Sequence, residues 1–240
     1  TDAYLSHNEA FHHAGADLKT KVEIRYFDSE MVEKNGITRE LACCDGILIP
    51  GGFGSRGTEG KIATARFARE KGIPFLGVCL GFQIATIEIA RDMLGMADAN
   101  STEIKPDCGY PVIDILPEQK AVLTKGGTMR LGSQKVLVKE GSIAHQLYGA
   151  TEIMERHRHR YEVNPEYIAP LEEAGWKFTG RSEDGVKMEI GELDGHPFYV
   201  AAQFHPEFKS RPRKPSPLHR GLIQAALEYK KAQENRLNEL

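Results

Sequence analysis

An apolar run passes straight into a helix-like segment at residues 73–85, I-P-F-L-G-V-C-L-G-F-Q-I-A, and one cysteine lies at the junction between two glycines. A short, continuous apolar run before a turn predicts a strand buried on both faces of a sheet. The helical spacing of residues 80–94 then predicts a strand–turn–helix unit. Because similar units precede it, we expect an α/β fold with a doubly wound, mostly parallel sheet and flanking helices.

The first half of the chain supplies the other elements of this pattern. Helical spacing predicts helices over residues 3–15 and 58–71, the second one ending at a glycine. Apolar or alternating runs predict strands over residues 21–27, 46–50 and 74–78. Strands that alternate with helices in this way are typical of parallel strands joined by crossover helices.

After about residue 110 the predicted strands become shorter and alternate more regularly, which indicates a smaller antiparallel, strand-rich portion. The predicted strands cover residues 111–116, 134–139, 151–157, 176–181, 186–193 and 198–204, and the predicted helices cover residues 165–174 and 218–232. Between the last strand and the last helix, residues 208–217 form a basic, proline-rich stretch. We interpret it as a solvated connector.

Composition narrows the possible functions. The chain has 240 residues, of which 40% are hydrophobic and 27% charged, and a formal net charge of -3. That balance supports a globular core and argues against nucleic-acid binding, which usually shows a basic excess. No apolar run approaches the roughly 20 residues of a membrane span, and the first ten residues lack the features of a signal peptide.

The four cysteines are Cys43, Cys44, Cys79 and Cys108, and they form neither a C-x-x-C pair nor a spaced framework for disulfides or zinc. Free thiols in a chain of this length are typical of a reducing compartment. A cytoplasmic location is therefore predicted.

The corner Gly77–Gly81 has the pattern G-x-C-x-G, which is the thiol counterpart of a nucleophile elbow. Gly77 would let the strand end pack closely, and Gly81 would let the first helical turn pass near the strand. Cys79 would then lie at a helix N-terminus, where the helix dipole favours a thiolate. The N–H of Leu80 would point to where an oxyanion forms. A small buried core cysteine is the alternative interpretation.

A histidine and a carboxylate follow another predicted strand, in the sequence Q-F-H-P-E-F. His205 and Cys79 both follow predicted parallel strands, whose carboxyl ends meet at one edge of a sheet. His205 is thus a candidate general base, with Glu207 as the group that orients its ring. The alternative is a surface histidine in a turn.

A third strand end carries P-G-G-F-G, Pro50–Gly54. Glycine pairs leave backbone N–H groups approachable. An ordinary strand-to-helix turn or a weak phosphate loop is also compatible, but the P-loop pattern is missing.

Together these three segments resemble the class I glutamine amidotransferases, the glutaminases with a catalytic triad. P-G-G-F-G resembles their oxyanion strand, G-V-C-L-G-F-Q their nucleophile elbow and F-H-P-E their His-Glu pair. The likeness is strongest to the branch that forms CTP, and it covers residues 51–164 and continues through residue 208. The segments that carry it are G-G-F-G-S-R-G, T-A-R-F-A-R-E, A-N-S-T-E, G-G-T-M-R-L-G and E-R-H-R-H-R-Y-E-V-N. The family's fold implies one domain over residues 1–240.

The resemblance implies hydrolysis of the glutamine side-chain amide through a thioester on Cys79, with His205 as base and Glu207 as its orienter. The N–H groups of Gly52 and Leu80 would form the oxyanion hole. The glutamine-binding residues that it implies are Gly52, Phe53, Leu80, Gly81, Phe82, Gln83, Glu103 and Arg160.

Glutamine carries an ammonium and a carboxylate, so its site needs one anion and one cation. Glu103 suits the ammonium, and Arg160 suits the carboxylate as a bidentate fork. From the residues alone, Arg158, Arg160 and Arg181 remain equal candidates for that cation. His157 and His159 lie two apart on one predicted strand, but no clear third ligand is evident, so no metal site is expected.

The resemblance also implies parts beyond these 240 residues. Nothing here resembles the amidoligase half of that branch, which binds ATP and UTP with magnesium, so no cofactor is expected in this domain. The first residues correspond to the first helix of the family's domain, without the strand that precedes it. We therefore expect a fragment of a longer enzyme that lacks its N-terminal amidoligase domain.

The partners implied are L-glutamine as substrate, the amidoligase domain of the same enzyme and further copies in a homo-oligomer, with no nucleic acid and no membrane. Two other functions stay open at this point. One is another triad glutaminase or a γ-glutamyl hydrolase. The other is a non-catalytic regulatory or assembly module that keeps the triad but uses its surface.

Overall fold

The structure is a computed structural model that describes residues 4–116 and 129–238. Its helices are α1 (Leu5–Asp17), α2 (Ser29–Asn35), α3 (Arg39–Ala42), α4 (Thr58–Lys71), α5 (Leu80–Met93), α6 (Ile143–Tyr148), α7 (Ile168–Glu173) and α8 (Pro217–Asn238). The strands are β1 (Ile47–Ile49), β2 (Phe75–Val78), β3 (Ala99–Ser101), β4 (Tyr110–Asp114), β5 (Arg130–Val138), β6 (Glu152–His159), β7 (Glu162–Val163), β8 (Trp176–Ser182), β9 (Met188–Leu193) and β10 (Tyr199–Ala202). Ala3 of the first predicted helix and residues 126–128 of the G-G-T-M-R-L-G segment lie outside the described residues.

The larger sheet has seven strands in the order β1-β2-β10-β9-β8-β5-β6. Strands β1, β2 and β10 are parallel, with Phe75 of β2 in register with Ile47 on one side and Tyr199 on the other. From β10 onward every pairing is antiparallel. The predicted α/β class, with a parallel part and an antiparallel part, is confirmed. The antiparallel ladder continues the same sheet.

A smaller sheet joins β3, β4 and β7, with β3 and β4 parallel and β4 and β7 antiparallel. The short strands β3 and β7 and the helices α2, α3 and α6 were not predicted from the sequence. The predicted helix over residues 165–174 begins as a 3-10 turn at Pro165–Tyr167 and continues as α7.

The central helix α5 packs between the sheets and is buried along most of its length. Phe82 on α5 lies against the ring of Trp176, and Phe75 stacks on Tyr199 with ring centroids 4.3 Å apart. The indole N–H of Trp176 donates to the hydroxyl of Thr86, also on α5. Both β2 and α5 are therefore held firmly, and the corner between them is rigid.

The prediction of a strand over residues 21–27 is wrong. These residues form no strand, although their alternating pattern is typical of one. A strand needs a hydrogen-bonded neighbour, and the pattern alone does not provide it. The nearest sheet edge is β1, and a groove of about 620 Å³ lies between the two, lined by residues 20–27 and 43–50 among others.

Among the described residues, none of the helices combines the length and apolar character needed to cross a lipid bilayer.

Candidate active site

Cys79 occupies the corner between β2 and α5 with φ 54° and ψ -99°. A positive φ is costly for a residue with a side chain, so the surrounding structure must hold it in place. The Cys79 N–H donates to the carbonyl of Ala202 on β10 at 2.7 Å, which ties the corner to the neighbouring strand. The thiol is 5% exposed, and its Sγ lies 3.9 Å from the carbonyl oxygen of Arg158 on β6.

The two glycines of the corner are required by close backbone contacts. A Cβ at Gly77 would lie 2.6 Å from the carbonyl oxygen of Gly81. A Cβ at Gly81 would lie only 2.1 Å from the carbonyl oxygen of Ile49 on β1. The structure thus shows the close packing for which both glycines were singled out in the sequence.

Gly81→Ala is expected to destabilise the fold by about 3 kcal/mol, because the clash is with backbone atoms that cannot rotate away. The free energy of unfolding from denaturant titration measures this effect. Gly109→Ala is a matched control, since its Cβ would meet nothing closer than 3.4 Å. Equal unfolding free energies for the two variants would contradict this account of the corner.

His205 follows β10, and its ring reaches the same corner. Its Nδ1 lies 2.8 Å from Oε1 of Glu207, and its backbone N–H donates to the carbonyl of Arg156 on β6. A Cβ at Gly51 would lie 2.8 Å from Cε1 of His205 and 3.5 Å from Cβ of Cys79. Gly51 thus marks the point where the cysteine and the histidine converge.

The pKa of His205 reflects its burial and two neighbours, Cys79 and Glu207. Burial lowers this pKa, but hydrogen bonds with the Cys79 thiol and the Glu207 carboxylate, and the charges of both, raise it to about 10. A ring with this pKa carries a proton at neutral pH when a thiolate stands beside it. The structure therefore brings the three residues of the predicted triad together.

The predicted oxyanion donors lie on adjoining segments. A Cβ at Gly52 would be 3.2 Å from Cδ2 of Leu80. As the first residue of α5, Leu80 has a backbone N–H without an intrahelical acceptor. Phe53, next to Gly52, is 88% exposed and forms the rim of this region.

Glu103 and Arg160 are neighbours at this end of the sheet. Burial raises the pKa of the Glu103 carboxyl, while a hydrogen bond from the Gly54 N–H and the charge of Arg160 act in the opposite direction. One anion and one cation thus flank the loop that follows β1. This is the pair of charges that an amino acid's ammonium and carboxylate require.

The structure separates the three candidate arginines. Arg158 is exposed on the outer face of β6, and Arg181 donates to the carboxylate of Glu172 at 3.1 Å. Arg160 is half-buried and lies within electrostatic reach of Glu103.

Two predicted glutamine-binding side chains point elsewhere. Phe82 is fully buried in the core against Trp176, so only its backbone could meet a ligand. Gln83 is buried, and its amide donates to the carbonyl of Tyr161 and to the side chain of Gln203, both at 3.3 Å. Gln83 therefore connects α5 to the segment that carries Arg160.

A buried polar cluster lies on the inner face of β6. His157 and His159 are 3.0 Å apart, and Glu189 of β9 lies 3.6 Å from His157. The expectation that the two histidines lack a third potential ligand is wrong, because Glu189 provides one. Arg130, however, donates to Glu189 at 2.7 Å and to Glu162 at 3.1 Å. A guanidinium bound to both carboxylates favours a buried ion-pair network over a cation site.

Several residues that contact the site could not be predicted from any sequence pattern. The carbonyl of Arg158 meets the thiol only because β6 passes beside the corner. Gly51 was part of a recognised glycine pair, but its contact with His205 depends on the pairing of three strands. His7 of α1 lies 3.5 Å from Glu207, a contact that joins residues 200 positions apart.

Comparison with known proteins agrees with this geometry. The family model described as glutamine amidotransferase class-I matches residues 1–225. The chain therefore belongs to the class-I glutamine amidotransferase family.

Within that family the similarity points to one enzyme. CTP synthase of Archaeoglobus fulgidus is 54% identical over 234 residues, which cover 97% of this chain and 43% of the relative. CTP synthase of Symbiobacterium thermophilum is also 54% identical, covering 95% of this chain and 43% of the relative. The chain thus spans less than half the length of these relatives.

Solved structures give the same result. The glutaminase domain of Trypanosoma brucei CTPS with bound acivicin superposes with a TM-score of 0.89 at 37% identity, covering 95% of this chain and 89% of that one. A glutamine amidotransferase from Methylobacillus flagellatus shares the fold, with a TM-score of 0.52 at 14% identity. The predicted family is confirmed, and so is the predicted likeness to CTP synthase.

Proposed function

We propose that this domain hydrolyses the side-chain amide of L-glutamine through a thioester on Cys79. The observation that carries the proposal is the convergence of Cys79, His205 and Glu207 at the carboxyl ends of neighbouring parallel strands. The 2.8 Å contact between Glu207 and His205 and the hydrogen bond between His205 and Cys79 give each residue a partner in the proton transfers.

In the first step the Cys79 thiolate attacks the γ-carbonyl carbon of glutamine. The N–H groups of Gly52 and Leu80 hold the oxyanion, and His205 gives its proton to the departing ammonia. In the second step His205 takes a proton from water, the resulting hydroxide opens the thioester, and glutamate leaves. Glu207 holds the ring of His205 in the tautomer that both steps need.

Glu103 and Arg160 would fix the substrate's amino-acid end. Glu103 would accept from the α-ammonium, and Arg160 would grip the α-carboxylate with two parallel hydrogen bonds. Their charges compensate each other in the absence of substrate, which agrees with the effect of Arg160 on the pKa of Glu103. Gly81, Phe82 and Gln83 would contribute through the backbone and packing of α5.

We also propose that the ammonia serves the conversion of UTP to CTP in an amidoligase domain of the same enzyme. The relatives named CTP synthase support this, because the chain matches only 43% of their length. ATP, UTP and magnesium would bind in that other domain, and the whole enzyme would form a homo-oligomer. The free cysteines of the described chain favour a cytoplasmic location.

Transfer of the amide nitrogen tests this function. The complete polypeptide is incubated with UTP, ATP, magnesium and glutamine that carries an isotope label in its amide. We expect the label in the exocyclic amine of CTP, and glutamate and CTP in equal amounts. Unlabelled CTP, or faster cleavage of short γ-glutamyl peptides than of glutamine, would contradict the proposal and favour a γ-glutamyl hydrolase.

A further inference from the structure

A second histidine contacts the triad carboxylate. His7 on α1 places its Nε2 3.5 Å from Oε1 of Glu207, the same oxygen that His205 meets at 2.8 Å. His7 and Glu207 are 5% and 4% exposed, so water screens this contact little. The distance is slightly long for a hydrogen bond, and such contacts often tighten when substrate binds.

The contact is the end of a longer chain of hydrogen bonds. Nδ1 of His7 lies 3.0 Å from Nε2 of His219 on α8, and Nδ1 of His219 lies 2.8 Å from the hydroxyl of Ser216. His219 is fully buried, and the Phe11 ring packs against it in a T-shaped arrangement. His219 therefore restrains the ring of His7 on the side opposite Glu207.

Only one arrangement of protons satisfies this chain. An ionised carboxylate accepts hydrogen bonds and cannot donate, so Nε2 of His7 must carry the proton that faces Glu207. Nδ1 of His7 then accepts from His219, and Nδ1 of His219 accepts from Ser216. Every donor in the chain points towards Glu207.

Burial favours the neutral form of both histidines. It lowers the pKa of His7, against the charge of Glu207, and it lowers the pKa of His219 far below the usual range. A neutral His7 can present its Nε2–H to Glu207 without bringing a second positive charge next to His205. His7 can therefore orient the Glu207 carboxylate without competing with protonated His205 for its negative charge.

Among the described residues, the other titratable groups near Glu207 and His205 are not placed to hold the Glu207 carboxylate. In that part of the chain, the titratable groups that interact with Glu207 or His205 besides Cys79 and His7 are Tyr148 on α6 and Glu155, His157 and His159 on β6. Tyr148 donates to Glu155 at 3.0 Å, and Lys209 lies 3.8 Å from Glu155. Within the described part of the chain, Oε2 of Glu207 is buried and makes no hydrogen bond.

We propose that His7, held by His219 and Ser216, is a positioning residue that orients Glu207 towards His205. The proposal rests on the glutaminase function proposed above. It extends the triad into a line of six side chains that joins the corner between β2 and α5, the helices α1 and α8, and the segment after β10.

Two substitutions of His7 distinguish a role in orienting Glu207 from a role that depends only on the size of the side chain. His7→Phe keeps an aromatic ring but removes both nitrogens, whereas His7→Gln keeps an amide that can donate to Glu207. In the complete polypeptide we expect His7→Phe to lower kcat for glutamate release roughly ten-fold, the lower end for loss of a hydrogen bond to a charged group. The KM for glutamine should stay within about two-fold, because His7 does not touch the substrate. His7→Gln should recover most of kcat.

The pH dependence of kcat provides a second measurement, which should not change if His7 has only a structural role. His205 needs its proton for the leaving ammonia, so kcat falls as the pH rises past the pKa of His205. A Glu207 that is less well oriented raises the pKa of His205 less. The basic limb of the kcat profile should therefore move to lower pH in His7→Phe. His12→Phe, an exposed position on the same helix, is the control and should leave kcat and the limb unchanged.

The outcomes separate the two proposals. An inactive parent enzyme would overturn the glutaminase function itself. An active parent with an unchanged kcat or an unmoved basic limb in His7→Phe, or a His7→Gln as impaired as His7→Phe, would overturn the role of His7. If His7→Phe does not fold in a thermal melt, His219→Phe replaces it. This variant keeps His7 but removes its donor, so a several-fold lower kcat is expected and an unchanged kcat would overturn the proposal.

Discussion

Cys79→Ala is expected to lower the rate of glutamate release from glutamine by roughly 10⁵-fold or more, to the limit of detection. The sulfur is the atom that would form the thioester, and no neighbouring group can replace it at the corner. His205 and the two backbone donors would remain, but without the nucleophile they could assist only a direct attack by water. A coupled assay for glutamate measures the loss.

Two controls accompany this prediction. Cys43→Ala removes an exposed thiol far from the corner and should leave the rate unchanged. In the complete polypeptide, Cys79→Ala should still form CTP when an ammonium salt replaces glutamine, because ammonia then bypasses the glutaminase. Glutamate release by Cys79→Ala at a rate near that of the parent would remove Cys79 from the mechanism.

Glu207→Gln is expected to lower kcat for glutamate release roughly 10³-fold, because the amide can neither hold the imidazolium by its charge nor fix the productive tautomer. The side chain keeps its size, so the fold should persist. Glu9→Gln, an exposed carboxylate on α1, is a matched control and should leave kcat unchanged.

The same variant should shift the pH dependence of the reaction. The Glu207 hydrogen bond and charge help to raise the pKa of His205 to about 10 against the effect of burial. Removing that charge lowers the pKa, so the proton needed by the leaving ammonia is lost at lower pH. The basic limb of kcat should therefore lie near pH 10 in the parent and move to lower pH in Glu207→Gln. A limb that stays in place would contradict the assignment of Glu207.

The corner itself could be predicted from the sequence because its determinants are local. An apolar strand, two glycines and a helix lie within residues 73–94, and the clashes at Gly77 and Gly81 involve residues of the same corner or the adjacent strand. His205 was predicted by a similar argument, since strand ends in a parallel sheet meet at one edge. The match of α4 to the predicted residues 58–71 follows from its own spacing and its terminal glycine.

Features that depend on distant pairing could not be predicted. Residues 21–27 have a strand-like pattern, but whether they join a sheet depends on what lies beside β1. Glu189 meets His157 only because β9 and β6 belong to the same curved sheet. His7 reaches Glu207 because α1 packs against α8 and the segment after β10. Such contacts leave no spacing pattern in the sequence.

Covalent labelling by an electrophilic analogue of glutamine tests the central claim most directly, since it requires both a bound substrate-like molecule and a reactive thiol. Peptide mass mapping after a short incubation should find the label on Cys79, glutamine should protect against it, and His205→Ala should slow it. Labelling at Cys43 or Cys108 instead, or labelling of Cys79 that neither glutamine nor the loss of His205 affects, would contradict the account.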